Sequence, residues 1–405
     1  MPHQLGATGE NFARPTSTDV RTWAEWRTAA VALRVAIVGG AGAIGRRAAA
    51  LLADQPSVES MVIADLAPVN AAEVASRFGS KATAYWTDFS DPREAREALE
   101  GADLALGCLG GRPSLERPIV EAAIDARIPY IGICDDWKVT EEVLEMDPEA
   151  SEAHTLVVTG AGASPGLTNL MALHASRGLD EVNEIHISWV GSTNSPSGVE
   201  AVAHTLKSFG GSARMFVGGG WRFVRAGGAR EQVWFPEPVG AVDVATCRHP
   251  EPVMLARSFP GVREISVKGS LGVAILQDAM RLASRLGVSR STLERAGGLP
   301  GIETWLPGVG FFGGGPRWSA LRVEVRGRRM SAPATVVLGA VDSMQNLAAG
   351  PLAAIALAIG RGTVGRGEVG VRTPEEVVEP VEVFQRLANW GIKVARLEPA
   401  DGVAA

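Results

Sequence analysis

The feature that most constrains this chain is a glycine cluster between an apolar run and a helical pattern. Residues 35–45 read VAIVGGAGAIG, and Gly40, Gly42 and Gly45 fit the spacing G-x-G-x-x-G. In that spacing one glycine permits a tight turn, one lets the backbone approach a pyrophosphate, and one allows a helix to pack closely on a strand. Phosphates then bind the N–H groups at the start of the helix, here at Ala43 and Ile44.

A second strand pattern strengthens this interpretation. Residues 60–65 form an apolar run that ends in Asp65, 20 residues after Gly45. An acid at about this offset is expected to bind the ribose hydroxyls of a dinucleotide. Strand, glycines, helix, strand and acid together predict a dinucleotide-binding site.

Strand and helix patterns alternate from residue 33 to about residue 163, which predicts βαβ units and a parallel sheet. Ligands of such sheets lie beyond the carboxyl ends of the strands. We expect Asp88 and Gly110, which follow two of these strands, to join the glycines and Asp65 at the cofactor.

The rest of the chain does not show this regular alternation of strand and helix patterns. Residues 1–32 read as an N-terminal arm, and residues 164–341 mix short strand patterns with helical ones, which predicts an α+β second domain. We therefore expect an α/β fold: a Rossmann dinucleotide-binding domain with a second α+β domain. A glycine-rich stretch at 297–316 is either a lid over the substrate or a plain surface loop.

Charge and composition exclude several classes of protein. The net charge is −6 without a basic cluster, so we expect no nucleic-acid partner. The most apolar run, 347–360, contains Gly350-Pro351 and is too short to span a bilayer, so no membrane association is expected. Three widely spaced cysteines fit neither a disulfide framework nor a zinc site, which favours a reducing cytoplasm.

One family of nucleotide enzymes is excluded by its catalytic pair. Gly39, Gly42 and Gly45 also fit the fingerprint of extended short-chain dehydrogenases, which need Tyr-x-x-x-Lys. The two tyrosines of this chain, at positions 85 and 130, are followed four residues later by Phe89 and Cys134.

The chain resembles the saccharopine dehydrogenase-like family, of the saccharopine reductase type, nearly from end to end. The resemblance rests on the glycine fingerprint, Asp65, and the segments DLALGC (103–108), YIGICDD (130–136), GAGASPGLTN (160–169), HPEP (249–252) and GVRTPEE (370–376). It implies a Rossmann domain at 33–163 completed by helices from 342–405. It also implies a substrate and dimerisation domain at 164–341, a homodimer, and hydride transfer with a nicotinamide.

Relatives in that family act on C–N bonds of amino-acid-derived amines, and some reduce enoyl groups. Hydride exchange at an imine carbon calls for a carboxylate near the iminium and a group that moves one proton. Asp135 and Asp136 end a predicted strand at the expected nicotinamide edge. Because neighbouring strand residues point to opposite faces, we expect one of them to face the site, with a helix cap as the alternative. The resemblance adds His249 as a catalytic candidate.

Substrate-binding candidates flank the start of the second domain. N–H groups around Ser164 and Gly166, before a helical pattern, suit a substrate carboxylate. Thr193 and Ser195 lie in a polar turn that suits a pocket wall. No cluster has metal-ligand spacing, so no metal is expected.

The cofactor is NAD or NADP. Leu66, Ala67 and Pro68 follow Asp65, and an acid without a nearby arginine repels a 2′-phosphate, which favours NAD. The expected activity is hydride transfer at an imine or secondary amine of an amino-acid-derived small molecule. The alternatives are an enoyl-type C=C reductase and a non-catalytic NAD(P)-sensing Rossmann protein.

Overall fold

The computed structural model describes residues 32–192, 208–271, 318–362 and 368–398. Its helices and strands, in chain order, are β1 (Leu33–Val38), α1 (Ala43–Ala53), β2 (Val58–Asp65), α2 (Pro68–Ser76), β3 (Ala82–Trp86), α3 (Pro92–Leu99), β4 (Leu104–Gly107), α4 (Glu116–Ala126), β5 (Tyr130–Gly132), α5 (Trp137–Leu144), α6 (Asp147–Glu152), β6 (Leu156–Val158), α7 (Leu167–Ser176), β7 (Glu181–Val190), β8 (Ser212–Val217), β9 (Gly220–Arg225), β10 (Arg230–Phe235), β11 (Gly240–Thr246), α8 (Glu251–Ser258), β12 (Glu264–Ser270), β13 (Ser319–Arg329), β14 (Ala332–Asp342), α9 (Met344–Gly360), β15 (Gly370–Arg372), α10 (Pro374–Val377), α11 (Pro380–Asn389) and β16 (Val394–Leu397).

The first sheet is parallel, with the strand order β15-β6-β5-β4-β1-β2-β3. The order reverses between β1 and β4, which creates the crevice where doubly wound sheets bind nucleotides. Strands β4, β5 and β6 are short and fully buried, as expected for strands covered on both faces. The predicted fold class is confirmed.

The second sheet is mixed and follows the order β10-β11-β12-β7-β13-β14-β16, with β8 and β9 branching from β12. Strands β13 and β14 form a long hairpin, and Met330 and Ser331 at its turn have positive φ values of 48° and 64°. Such values suit the two-residue turns whose twist matches that of paired strands. The strand patterns at 319–325 and 334–338 predict this hairpin with shorter strands.

The chain after residue 342 contributes to both sheets. Helix α9 packs on α1 and is almost wholly buried, and β15 adds an edge strand to the first sheet beside β6. Strand β16 instead pairs with β14 of the second sheet. One apolar core therefore continues from β1 and α1 through α9 to α7 and β13.

The two sheets also meet beside the carboxyl end of β5. Glu141 of α5 forms an ion pair with Arg214 of β8. The ring of Trp137 on α5 meets that of Phe223 on β9 edge to face, with centroids 6.5 Å apart. The hairpin of β8 and β9 therefore packs against the helix that follows Asp135 and Asp136.

Some predicted features lie wholly or mostly outside the described residues: the arm at 1–32, described at residue 32; a helical pattern at 199–209, described at 208 and 209; and the glycine-rich stretch at 297–316. Within the described ranges, no helix combines the length and apolar character needed to cross a membrane.

Candidate nucleotide and catalytic site

The glycine turn between β1 and α1 has the close packing that its spacing predicts. A Cβ on Gly45 would lie 2.5 Å from the carbonyl oxygen of Gly39, and a Cβ on Gly40 would lie 2.8 Å from Ile63 of β2. At Gly42, by contrast, the contact within 4 Å is the Gly39 oxygen at 3.2 Å. Gly40 and Gly45 therefore let the turn close, while Gly42 is exposed and leaves the approach to α1 open.

The start of α1 offers hydrogen-bond donors. Its N-cap, Gly42, provides no side-chain acceptor, and within the described residues the N–H groups of Ala43, Ile44 and Gly45 meet no acceptor. The positive end of the helix dipole lies at the same place. This arrangement fits a pyrophosphate, which would accept from these N–H groups.

Asp65 at the end of β2 is held rigidly beside this turn. One carboxylate oxygen accepts from the N–H of Ala41 at 3.0 Å, and the other accepts from the N–H of Ala67 at 3.0 Å. Each carboxylate oxygen has a second lone pair, so both can still accept from ribose hydroxyls. The predicted ribose-binding residue thus lies at the glycine turn, 24 residues away from Ala41 in sequence.

The other two predicted cofactor residues also follow strands at this edge. Asp88 accepts from the N–H and hydroxyl of Ser90, and these hydrogen bonds lower the pKa of its carboxyl group. Gly110 follows β4 and is half-buried near Ile133. Asp88 therefore shapes its own loop, and its role at a cofactor stays a prediction.

The two consecutive aspartates after β5 differ in their surroundings. Asp136 is the N-cap of α5, and its carboxylate accepts from the N–H groups of Lys138 and Val139 at 2.9 and 3.3 Å. Asp136 thus has the structural role that the sequence offered as the alternative to catalysis, and the catalytic candidate is Asp135.

Asp135 lies in the loop after β5 and is half-buried, and its charge acts on two buried groups. Burial, and in smaller measure the charge of Asp135, raises the pKa of Glu116 to about 7. Burial, then Glu251 and then Asp135 raise the pKa of Cys247 well above its ordinary value. The charge of Asp135 thus affects the first residue of α4 and a residue shortly before α8.

The start of α7 does not offer the donors that the sequence suggested. The N–H groups of Gly166, Leu167 and Thr168 already donate within the protein, to Asn169 Oδ1, Gly162 and Ala163. Gly166 has a φ of 120°, and a Cβ there would lie 2.3 Å from the Gly162 oxygen. This glycine allows a closed turn, so the prediction that these N–H groups hold a substrate carboxylate is not supported by their geometry.

His249 belongs to a buried network centred on Glu251, the first residue of α8. Its Nδ1 lies 2.7 Å from Glu251 Oε2, while Oε1 accepts from the hydroxyls of Ser164 and Thr168. Burial alone would raise the pKa of Glu251, but His249 and the hydroxyl donors hold it below its ordinary value. An ionised Glu251 places the proton of His249 on Nδ1, so proton transfer would use Nε2.

Two other buried acids were missed by sequence reasoning. Glu116 begins α4 and is 3% exposed. Glu375 of α10 accepts from Asn169 at 2.9 Å and Ser258 at 3.1 Å, and burial raises its pKa to about 7. Neither acid belongs to a recognisable sequence motif. Glu375 lies inside the family-like segment 370–376, where the spacing of Thr373 and Glu376 predicts a capping box at a helix start. That capping box is confirmed.

Thr193 and Ser195, the remaining substrate-binding candidates, lie outside the described residues. In the described part of the chain no group of three or more His, Cys, Asp or Glu residues could hold a metal ion.

Comparison with known families identifies the nucleotide-binding part. Residues 35–158 match the model of the saccharopine dehydrogenase NADP binding domain. The chain carries a saccharopine dehydrogenase-like NAD(P)-binding domain. The match includes the glycine turn, Asp65, Asp88, Gly110 and Asp135, and it confirms the resemblance found in the sequence. The protein is an NAD(P)-dependent oxidoreductase.

Solved structures show a similar fold. Apo saccharopine dehydrogenase (L-Glu forming) from Saccharomyces cerevisiae aligns with 90% of this chain and 100% of its own, at 15% identity and a TM-score of 0.63. DAP dehydrogenase from C. glutamicum aligns over 87% of this chain and 95% of its own, at 16% identity and a TM-score of 0.44. The likeness in fold to the first of these structures reaches beyond the nucleotide-binding domain of this chain.

Proposed function

We propose that this saccharopine dehydrogenase-like protein transfers a hydride to or from a C–N bond of an amino-acid-derived substrate. The observation that carries the proposal is that three features follow strands of the first sheet. The open nucleotide turn follows β1, Asp135 follows β5, and Ser164 after β6 donates to Glu251, the partner of His249. The likeness to a saccharopine dehydrogenase supports the same class of substrate.

The nucleotide would lie across the glycine turn. The N–H groups of Ala43, Ile44 and Gly45 would bind its pyrophosphate, and Asp65 would bind its adenosine ribose. When bound, a nicotinamide supplies the hydride chemistry. Its ring is expected beyond β4 and β5, where Gly110 and Asp135 follow the strands.

Asp135 would balance the positive charge of an iminium carbon–nitrogen group. A carboxylate does so most effectively where water is excluded, because the effective dielectric constant is low there. Asp135 is half-buried, and its charge contributes, after burial, to the raised pKa values of Glu116 and Cys247. Its placement therefore suits a cationic intermediate better than a neutral enoyl group.

His249 would hold or release the proton that the amine exchanges. Glu251 fixes the Nδ1 side of the ring, and the indole of Trp189 packs beside it with centroids 5.9 Å apart. A ring held on two sides keeps Nε2 in one direction, which is what a general acid or base requires. We propose that the pair His249–Glu251 is the proton-transfer group.

The proposed function is tested by following the absorbance of NADH and NADPH with purified protein. The panel pairs amines with carbonyl compounds: lysine with 2-oxoglutarate, glutamate with aminoadipate semialdehyde, and diamines with aspartate semialdehyde. Oxidation of NADH or NADPH that requires both the amine and the carbonyl compound supports imine reduction. If bound cofactor is consumed only with enoyl substrates, or with none, the C–N assignment is wrong.

Homodimerisation through the second domain stays an expectation of the resemblance.

A further inference from the structure

We propose that Arg46 binds the 2′-phosphate of NADP, with Glu73 as the counter-charge that it leaves when that phosphate is present. The inference rests on the proposed position of the nucleotide and adds a specificity-determining residue to it. It also reverses the preference for NAD that the residues after Asp65 suggest.

The geometry centres on Ala41, in the middle of the glycine turn. Its N–H donates to Asp65 Oδ2 at 3.0 Å, and its carbonyl oxygen accepts from Arg46 Nε at 2.7 Å. Asp65 and Arg46 thus both contact the backbone of Ala41, the carboxylate at the N–H and the guanidinium at the carbonyl oxygen. Both side chains therefore lie at the part of the turn where the adenosine ribose is proposed to bind.

Glu73 of α2 is the present partner of the guanidinium, and the pair is loose. Arg46 Nη1 lies 3.7 Å from Glu73 Oε1, with the two side chains 33% and 55% exposed. Exposed pairs of this kind contribute little stability. Glu73 also pairs with Arg77 at 2.6 Å, so it would keep a partner if Arg46 turned away.

A 2′-phosphate would make a stronger partner for Arg46 than Glu73 does. A phosphate monoester carries up to two negative charges, and a guanidinium can bind it through two parallel hydrogen bonds. The charge of Asp65 opposes such a group, but two N–H donors, from Ala41 and Ala67, partly compensate that charge.

The usual sequence criterion for NADP does not detect this arginine, because that criterion considers the residues that directly follow the acid. Leu66, Ala67 and Pro68 offer no positive charge there. Arg46 comes instead from the first turn of α1, and only the close packing of α1, β2 and α2 brings it beside the acid.

The test measures binding of NADPH and NADH separately, without substrate, by titrating the fluorescence of the reduced cofactor. We expect Arg46→Gln to raise the Kd for NADPH by about 10- to 100-fold, as for loss of a charge-assisted hydrogen bond. The Kd for NADH should change by less than about threefold, because NADH has no group for Arg46. Glu73→Gln should tighten NADPH binding, since it removes a competing carboxylate.

The matched control is Arg47→Gln. Arg47 is the next residue of α1, but its Nε donates to Asn346 of α9 at 2.6 Å, away from the turn. We expect it to leave the ratio of the two Kd values unchanged. The inference about Arg46 is wrong, while the proposed function stands, if Arg46→Gln weakens the binding of both cofactors equally. The same holds if the wild-type protein binds NADH but not NADPH. If the wild-type protein binds neither cofactor, both the inference and the proposed function are wrong.

Discussion

Gly107 and Gly132 are register partners on β4 and β5, and each leaves space for a buried polar group. A Cβ on Gly107 would lie 1.8 Å from the Tyr130 hydroxyl, and a Cβ on Gly132 would lie 1.9 Å from Glu116 Oε1. The hydroxyl and the carboxyl group thus lie above adjacent positions of the sheet. The buried carboxyl group of Glu116 therefore occupies the space that a side chain at position 132 would take.

Gly132→Ala is expected to destabilise the protein by about 1–3 kcal/mol, the usual cost of overpacking a buried site. The added methyl group would displace the Glu116 carboxyl group. Chemical denaturation measures the loss, and Gly261→Ala is the control, because no atom lies within 4 Å of a Cβ there. In the double variant with Glu116→Ala the cost of Gly132→Ala should be smaller, with a close contact to Tyr130 Cε1 at 2.8 Å left; full additivity would show that Glu116 is not what the methyl group meets.

The stability of the protein is expected to fall as the pH rises from about 4.5 to about 7. Burial raises the pKa of Glu116 and of Glu375 to about 7, whereas the unfolded value is near 4.5. The folded state then binds more protons than the unfolded state in this window, and stability decreases with pH. A shift of this size corresponds to about 3 kcal/mol for each group.

Glu116→Gln and Glu375→Gln should each make that pH dependence shallower, and the double variant should make it shallower still. The measurement is the free energy of unfolding by urea between pH 5 and pH 8. A wild-type slope that persists in the double variant would assign the pH dependence to other groups.

Asp135→Asn and Asp136→Ala are expected to affect different properties. Asp135→Asn should lower kcat with little change in cofactor Kd, because it removes the charge proposed to face the iminium. Asp136→Ala should lower the stability by about 1 kcal/mol through loss of the α5 cap, while Asn, also a good cap, should restore it. Steady-state kinetics and thermal unfolding separate the two effects. Normal turnover in Asp135→Asn would remove this residue from the mechanism.

His249→Gln is expected to lower kcat by about 100-fold or more, the contribution typical of general acid–base catalysis. Glu251→Gln should change the pH profile of kcat as well, because the ionised carboxylate that sets the His249 tautomer is gone. Ser258→Ala, which removes a hydrogen bond to Glu375 instead, is the control. A pH profile unchanged in Glu251→Gln would mean that Glu251 is only structural.

Asp65→Ala is expected to raise the Kd for NADH by about tenfold or more, since the hydrogen bonds of Asp65 to the ribose hydroxyls are charge-assisted. Leu66→Arg, on the other side of the acid, should favour NADPH. Cofactor titration measures both. Unchanged affinities in Asp65→Ala would contradict the ribose assignment.

The sequence predicted the features that depend on neighbours along the chain. The glycine turn, the offset to Asp65, the alternation of strands and helices and the capping box of Thr373 and Glu376 are all local. Element boundaries were less accurate. The helical pattern at about 140–153 predicts one helix, but the structure has two, α5 and α6, because Asp147-Pro148 begins a new helix. The choice between Asp135 and Asp136 could not be made from sequence, since both residues suit a cap and both follow a strand.

What the sequence by itself determined is the nucleotide-binding half, because its geometry follows from backbone sterics within about 30 consecutive residues. What only the tertiary structure decided is which side chains share a charge or a proton. Ser164 donates to Glu251, 87 residues away in sequence, and Asn169 donates to Glu375, 206 residues away. Arg46 of α1 likewise pairs with Glu73 of α2. Contacts at such separations depend on how helices and sheets pack, and no local pattern records that packing.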